Sequence, residues 1–250
     1  MENARTFSLR PDQYANSRPR YPDGLFSFLN EISANHDRAW DCATGSGQAA
    51  VSLTEYFSQV EATDISAEQI QHCITHPKIV YSVCSAEKTS FEDQPFDLIA
   101  VAQAIHWFDQ PQFFREANRL LKPGGILAVW GYSAMTVTPE IDSFLAEKLD
   151  ELINPFWADG NRQLMDGYPD LRLPFDAVDS PRPFAIEVNW NMPQLLEYIR
   201  TWSAVKRYAA KHGSDPVAPL EEKLQTLWKD SSRALSIHMP LTLKLSRKPA

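Results

Sequence analysis

The segment Asp41-Cys42-Ala43-Thr44-Gly45-Ser46-Gly47-Gln48 is where this 250-residue chain concentrates residues able to do chemistry. Small residues at 43, 45 and 47 let a backbone turn tightly and lie close against a ligand, and a strand-to-helix turn aims its N–H groups at whatever sits there. The same residues also suit a tight turn with no ligand. Asp64 lies about 20 residues on, after a second strand and just before a helix start at Ser66. A carboxylate there can accept both hydroxyls of a ribose in charge-assisted bonds, or it can rest on the positive end of the helix.

Two ligands satisfy this pattern. Gly45-x-Gly47-x-x-Ala50 followed by Asp64 meets the dinucleotide fingerprint, so an NAD(P)-dependent oxidoreductase competes. Against it, Asp41 precedes the turn, where it serves a positive amino group better than a pyrophosphate. The chain also holds no Tyr-x-x-x-Lys pair for short-chain dehydrogenase chemistry. Downstream, His106 could accept a proton and Trp107 could wall a pocket, or His106 could only bond to the backbone or to a cofactor. Tyr132, Trp190 and Trp202 are equally readable as pocket lining or as core. His72 and His76 have zinc-like spacing but enclose Cys-Ile-Thr without a metalloprotease Glu, so no metal is expected. Gly131-x-Ser133-x-Met135 lacks the second glycine of a nucleophile elbow.

The elements that must hold these residues alternate. Helical spacing at Leu25, Phe28, Leu29 and Ile32 precedes a strand over Arg38 to Ala43. A helix over Ala49 to Phe57, a strand over Gln59 to Thr63 and a helix from Ser66 to about Thr75 follow, the last opened by a Ser66/Gln69 capping pattern. Strands are expected at Lys78 to Val83 and at Phe96 to Ala102, the latter apolar without alternation, as in the middle of a parallel sheet. Asp109 and Pro111 open a helix with Phe113, Phe114, Ala117, Leu120 and Leu121 on its buried stripe, and Lys122-Pro-Gly-Gly ends it before a strand at Ile126 to Trp130. Residues 134 to 182 lose the rhythm and read as a helical insertion or cap. A strand over Phe184 to Trp190, a helix opened by Asn191, a helix over Leu220 to Leu235 and a strand over Leu241 to Leu245 complete a βαβ-type α/β chain.

The ordered pieces Tyr14-x-x-x-Arg18-Pro19-x-Tyr21-Pro22, WDCATGSGQAA, EATDIS, CSAE, FDLIAVAQAIHWFD and RLLKPGGILAVWGYS resemble the class I S-adenosylmethionine (SAM) methyltransferases, and within them the trans-aconitate methyltransferase-like group. The tail pieces TWSAVKRY and MPLTLKLSRK are similar as well. Two departures are Ala43, where most of the superfamily has Gly, and Ser85, where many relatives place an Asp. The resemblance implies a doubly wound, mostly parallel, seven-stranded Rossmann-like sheet in one domain over residues 1–250. A lid over 1–24 and the cap over 134–182 complete it. It implies SAM as cofactor, with Asp41, Ala43, Thr44, Gly45, Gly47 and Gln48 around its methionine part. Asp64 would take the ribose, with Ile65 on the adenine and Ser85, Ala86 and Glu87 at its edge. Gln103 and His106 would stand beside the sulfonium under Tyr14 and Tyr21. Read from the residues themselves, Arg18, Trp107, Tyr132, Trp190 and Trp202 are the candidates to meet the methyl acceptor, with Arg18 alternatively a surface residue that ties the N-terminal segment down.

The expected chemistry is methyl transfer to a small molecule. A carboxylate acceptor needs no base and wants a cation such as Arg18, Lys206 or Arg207; a phenol or carbon acceptor wants a base such as His106. A third possibility is a catalytically silent binding protein on the same fold. The net charge of −8 disfavours nucleic acid. Three cysteines without metal-like spacing suggest reduced thiols, and neither a secretory leader nor a membrane span is legible, so a cytoplasmic monomer or homodimer is expected.

Overall fold

The computed structural model describes residues 19–250, so Tyr14, Arg18 and most of the expected lid lie outside the described residues. Helix α1 (Asp23–Ile32) leads into β1 (Arg38–Cys42), α2 (Gln48–Leu53), β2 (Gln59–Asp64), α3 (Ala67–Gln71), β3 (Ile79–Val83) and β4 (Phe96–Ala102). A 3-10 turn (Ile105–Trp107), α4 (Gln110–Leu120) and β5 (Leu121–Tyr132) follow. The cap region holds α5 (Pro139–Leu145), a π-helical stretch (Ala146–Asp150), α6 (Glu151–Ile153) and α7 (Asp159–Met165). Then come β6 (Asp176–Ala177), β7 (Ala185–Trp190), α8 (Met192–Arg200), α9 (Ser203–His212), α10 (Glu221–Trp228) and β8 (Leu235–Arg247).

The sheet order is β3-β2-β1-β4-β5-β8-β6, with β7 also on β8. The five strands from β3 to β5 are parallel, and β8 runs antiparallel to β5, β6 and β7. This is the expected mostly parallel, doubly wound sheet; the eighth strand is the two-residue β6. Period two along β4 explains its double burial. Leu98 and Ala100 join one core with Leu25, Leu29, Ala50 and Leu53 of α1 and α2, while Ile99 and Val101 join another with Phe113, Ala117 and Leu120 of α4. Asp109 caps α4 by accepting the Gln112 N–H, and Asn191 and Gln194 close a full capping box on α8.

A third core is built by α5, α6, α8, α9 and α10 on the first half of β8, through residues such as Leu149, Leu195, Val205, Leu224 and Met239. That core needs a longer last strand than Leu241 to Leu245. Residues 241–247 of β8 pair with β5 and residues 235–240 pair with β7, so one 13-residue strand serves the sheet and the cap. The expected helix over Leu220 to Leu235 is correspondingly shorter. The chain turns at Lys229 (φ +69) and Trp228 Nε1 donates to the Arg233 carbonyl. Likewise α3 ends at Gln71, short of Thr75, and Leu121 opens β5 rather than closing the α4 stripe.

Asp97, buried in β4, ties the start of β1 to the sheet. Its Oδ2 accepts the N–H groups of Asp37 and Arg38 (2.9 and 3.0 Å), and its Oδ1 meets Lys122 Nζ at 2.7 Å. Asp97→Ala leaves two part-buried backbone donors unpaired and removes the buried one of Lys122's two carboxylate partners, so urea unfolding should show a loss of about 2 kcal/mol. An unmoved midpoint would mean that β1 is held by its ladders alone.

Candidate functional site

At the carboxyl end of β1, Asp41 lies opposite Ala62 and Ala100 and is wholly buried. Its Oδ2 accepts the Thr44 hydroxyl at 2.5 Å, and its Oδ1 has no hydrogen-bond partner among the described residues. Burial raises the carboxyl from 3.8 to about 6, against the lowering effect of the Thr44 hydroxyl and the Ala50 N–H, with Asp64 adding a smaller upward push. The chain leaves the strand through Ala43 (φ +57), Gly45 (φ +56) and Gly47 (φ +86). Ala43 therefore takes a left-handed turn that an L-residue enters at a cost of about 1 kcal/mol. The two glycines do different work. A Cβ on Gly47 would come within 2.6 Å of Tyr81 Oη, whereas one on Gly45 would meet nothing within 4 Å among the described residues. Gly47 thus permits packing, and Gly45 faces open space. Gln48 opens α2.

Asp64, half-buried at the end of β2, spans the two loops: Oδ2 accepts the Gly45 N–H at 3.0 Å and Oδ1 accepts the Ser66 N–H at 2.8 Å. Burial raises its pKa and those N–H groups lower it. Each oxygen keeps a lone-pair direction for a further donor. Ile65, the next residue, is 68% exposed, and Val83, level with Asp64 on β3, is 53% exposed, which leaves an apolar shelf at the strand ends. Ala86 is buried, while Ser85 Oγ bonds Glu87 Oε2 and Glu87 Oε1 accepts the Asp109 N–H. Cys73 Sγ donates to the Gly45 carbonyl, and burial pushes this thiol to about 12, so it stays protonated.

Beyond β4 and β5 a cavity of about 100 Å³ opens between the sheet and the cap. Gln103, His106, Trp107, Tyr132 and Trp202 line it, as do Trp157, Asn161, Leu164 and Tyr198. Gln103 (φ +57) donates from Nε2 to the Tyr132 carbonyl. His106 Nδ1 lies 2.7 Å from Tyr168 Oη, and burial lowers the imidazole to about 4. Tyr21 packs edge-on against Trp130 and Tyr132 (5.6 and 6.3 Å), beside the cavity's strand-end wall. Trp190 stands apart from the cavity and packs on Tyr198 (5.1 Å), because it pairs with Leu235 while Tyr132 pairs with Leu241, about 20 Å along β8. Lys206 and Arg207 lie on α9 but do not line the cavity, and Arg207 Nη1 donates to the Phe156 carbonyl.

Sequence reasoning missed Trp157, Asn161, Tyr168 and Tyr198. The first three lie in the irregular 134–182 stretch, and Tyr198 hides in the α8 helical pattern. Gly160 is another missed residue: a Cβ there would sit 2.7 Å from the His106 carbonyl and 3.2 Å from its ring, so its lack of a side chain lets α7 press against the His106 turn.

The residues fit SAM. A buried carboxylate with one bare oxygen suits an ammonium, the open side of Gly45 suits the methionine chain, and the exposed Ile65 suits a purine face. The sheet also argues against the nicotinamide reading. A dinucleotide fold continues parallel past its fifth strand, and here antiparallel β8 takes that place.

Comparison with known proteins agrees. Residues 40–129 match the methyltransferase domain family. The solved structure of a candidate type II methyltransferase from Anaeromyxobacter dehalogenans is 35% identical, covers 93% of this chain and 99% of its own, and superposes with a TM-score of 0.87. A candidate methyltransferase from Dictyostelium discoideum is 28% identical over 242 residues, 94% of this chain and 92% of that protein. A Saccharomyces cerevisiae protein named as a candidate SAM-dependent methyltransferase is 22% identical over 246 residues, 81% of this chain and 82% of that protein.

Two outcomes follow from the geometry. An unfolded Asp titrates near 3.8 and Asp41 in the ligand-free fold near 6, so its ionised form disfavours the fold above about pH 6, and that cost fades as pH falls toward 4. Asp41→Asn should therefore raise ligand-free stability at pH 8 by on the order of 3 kcal/mol in urea titrations. The native protein should lose SAM affinity by calorimetry as pH drops through about 6, and the Asn variant should bind weakly at every pH. A pH-independent native affinity would remove Asp41 from the site. Separately, Gly160→Ala should displace His106 and reduce acceptor turnover several-fold while leaving the SAM dissociation constant unchanged; equal losses in both would place Gly160 in the cofactor site instead.

Proposed function

The chain belongs to the class I SAM-dependent methyltransferases, and we propose that it methylates a carboxylate oxygen of a small molecule held in the aromatic cavity beside His106. The observation that carries this reading is the absence of a competent base among the described residues lining the cavity. A histidine lowered to about 4 takes a proton from a phenol poorly, since a phenol holds its proton to about pH 10. A carboxylate arrives ionised and needs no such help.

SAM supplies a methyl group already activated on a sulfonium and transferred in line to a nucleophilic oxygen. The protein's part is to hold, orient and dry the reactants, which can supply about 7–11 kcal/mol of the barrier. Asp41, Thr44 and the open side of Gly45 would hold the methionine part, Asp64 the ribose, and Ile65 the adenine, with Ser85 and Glu87 at its edge. Gln103, locked by the Tyr132 carbonyl, and the rings of Trp107, Tyr132, Trp157, Tyr198 and Trp202 would keep water from the meeting of an anion with a cation, an attraction that strengthens as the local dielectric falls. Trp190 would act on this wall only through Tyr198. No Lys or Arg lines the cavity among the described residues, so Arg18 remains the cation best placed in sequence to grip the acid. The likeness of the ordered motifs to the trans-aconitate group also supports an acid acceptor.

Turnover of SAM to S-adenosylhomocysteine over a panel of small acids, phenols and amines tests the reading. Acids should be consumed, and the product should release methanol in mild alkali. Turnover confined to phenols or amines, or an alkali-stable product, sinks it.

A further inference from the structure

Tyr168 is 1% exposed, and among the described residues its hydroxyl has one hydrogen-bond partner, His106 Nδ1 at 2.7 Å. Only two proton arrangements are possible for this contact. In one, the phenol donates to a bare Nδ1, and the proton of the neutral ring sits on Nε2. In the other, Nδ1–H donates to the phenol oxygen, and the phenol's own proton is buried with no acceptor among the described residues, which is unfavourable. The first arrangement gives the phenol proton and Nδ1 a partner each and leaves Nε2–H for a further acceptor. Burial holds both of them neutral at pH 7, raising the phenol and lowering the imidazole.

The backbone is arranged to keep this contact. After α7 the chain passes through Gly167 (φ +73) and Tyr168 (φ +54), whose N–H groups donate back to Leu164 and Gln163. A left-handed tyrosine persists only where its surroundings demand it. Gly160 of α7 lets the His106 turn sit against the same helix. We infer that Tyr168 is a positioning residue that fixes His106 as the Nε2–H tautomer, so that His106 meets the methyl acceptor as a neutral hydrogen-bond donor to its oxygen and not as a base. The acceptor class this selects is one whose reacting group is an oxyanion or carbonyl-bearing acid. The inference builds on the acceptor cavity of the proposed function and supplies the donor that its cation-free wall lacks.

The test reads the ring nitrogens by ¹⁵N NMR in the protein without acceptor at pH 7, with His106 assigned through His106→Gln. The expected result is a proton on Nε2 and a bare, pyridine-like Nδ1 in the native protein, and a mixture of tautomers in Tyr168→Phe. With an acid substrate, Tyr168→Phe should raise KM about threefold at an unchanged SAM dissociation constant. His106→Gln, which keeps an N–H, should retain more activity than His106→Ala, whose KM should rise about tenfold or more. A protonated Nδ1 in the native protein overturns the inference even if acids are the substrates, and so does a Gln variant as poor as Ala. Nε2 protonation with turnover of phenols alone would overturn the carboxylate reading and leave the His106–Tyr168 assignment standing.

Discussion

Burying an ionisable carboxylate at the end of the central strand is the constraint around which this molecule is arranged. Asp41 is out of reach of water, shares one oxygen with Thr44 and keeps the other bare. Such a group is tolerated only when a partner is provided for, because desolvation disfavours the charge. The tight exit from β1 keeps Thr44 beside Asp41, and that exit needs left-handed residues at 43, 45 and 47. Burial without a cation partner among the described residues is what raises the Asp41 pKa to about 6.

Asp64 extends the same economy. By accepting N–H groups from both Gly45 and Ser66 it locks the first loop to the second, so the turn after β1 and the exposed Ile65 after β2 form one unit. Truncating Asp64 would therefore loosen the Gly45 loop from the Ser66 turn. Thr44 N–H to the Thr63 carbonyl adds a third tie at this junction. Parallel pairing of β1 with β2 and β4 is what brings these strand ends level.

The acceptor side is built differently. Its floor is the end of β4 and β5, and its roof is the cap carried on the long strand β8. Because the cavity lies where two cores meet, its walls come from positions that are distant in sequence, with Leu164 and Trp107 from one core and Tyr132, Trp157, Tyr198 and Trp202 from the other. The result is a neutral, aromatic chamber with His106 held between a turn, a glycine-faced helix and a buried phenol. Among the described residues no helix is long and apolar enough to cross a membrane, and all three cysteines are free thiols.

Local sequence determined the parts whose physics is local. The Asp41–Gln48 turn, the Ser66, Asp109 and Asn191 caps, the doubly apolar β4 and the alternation of strands and helices were legible because small residues, cap side chains and periodicity act within a few positions. The ordered motifs likewise pointed to SAM. Tertiary structure alone decided the rest. That Gly47 serves Tyr81 while Gly45 faces open space depends on a strand over thirty residues away, and that Trp190 sits off the cavity depends on the register of β7 on β8. The Tyr168 bond to His106 and the Gly160 contact join residues in the 134–182 stretch to the turn after β4. No short-range pattern marks such contacts, because burial and hydrogen-bond pairing between distant segments are settled only when the cap closes on the sheet.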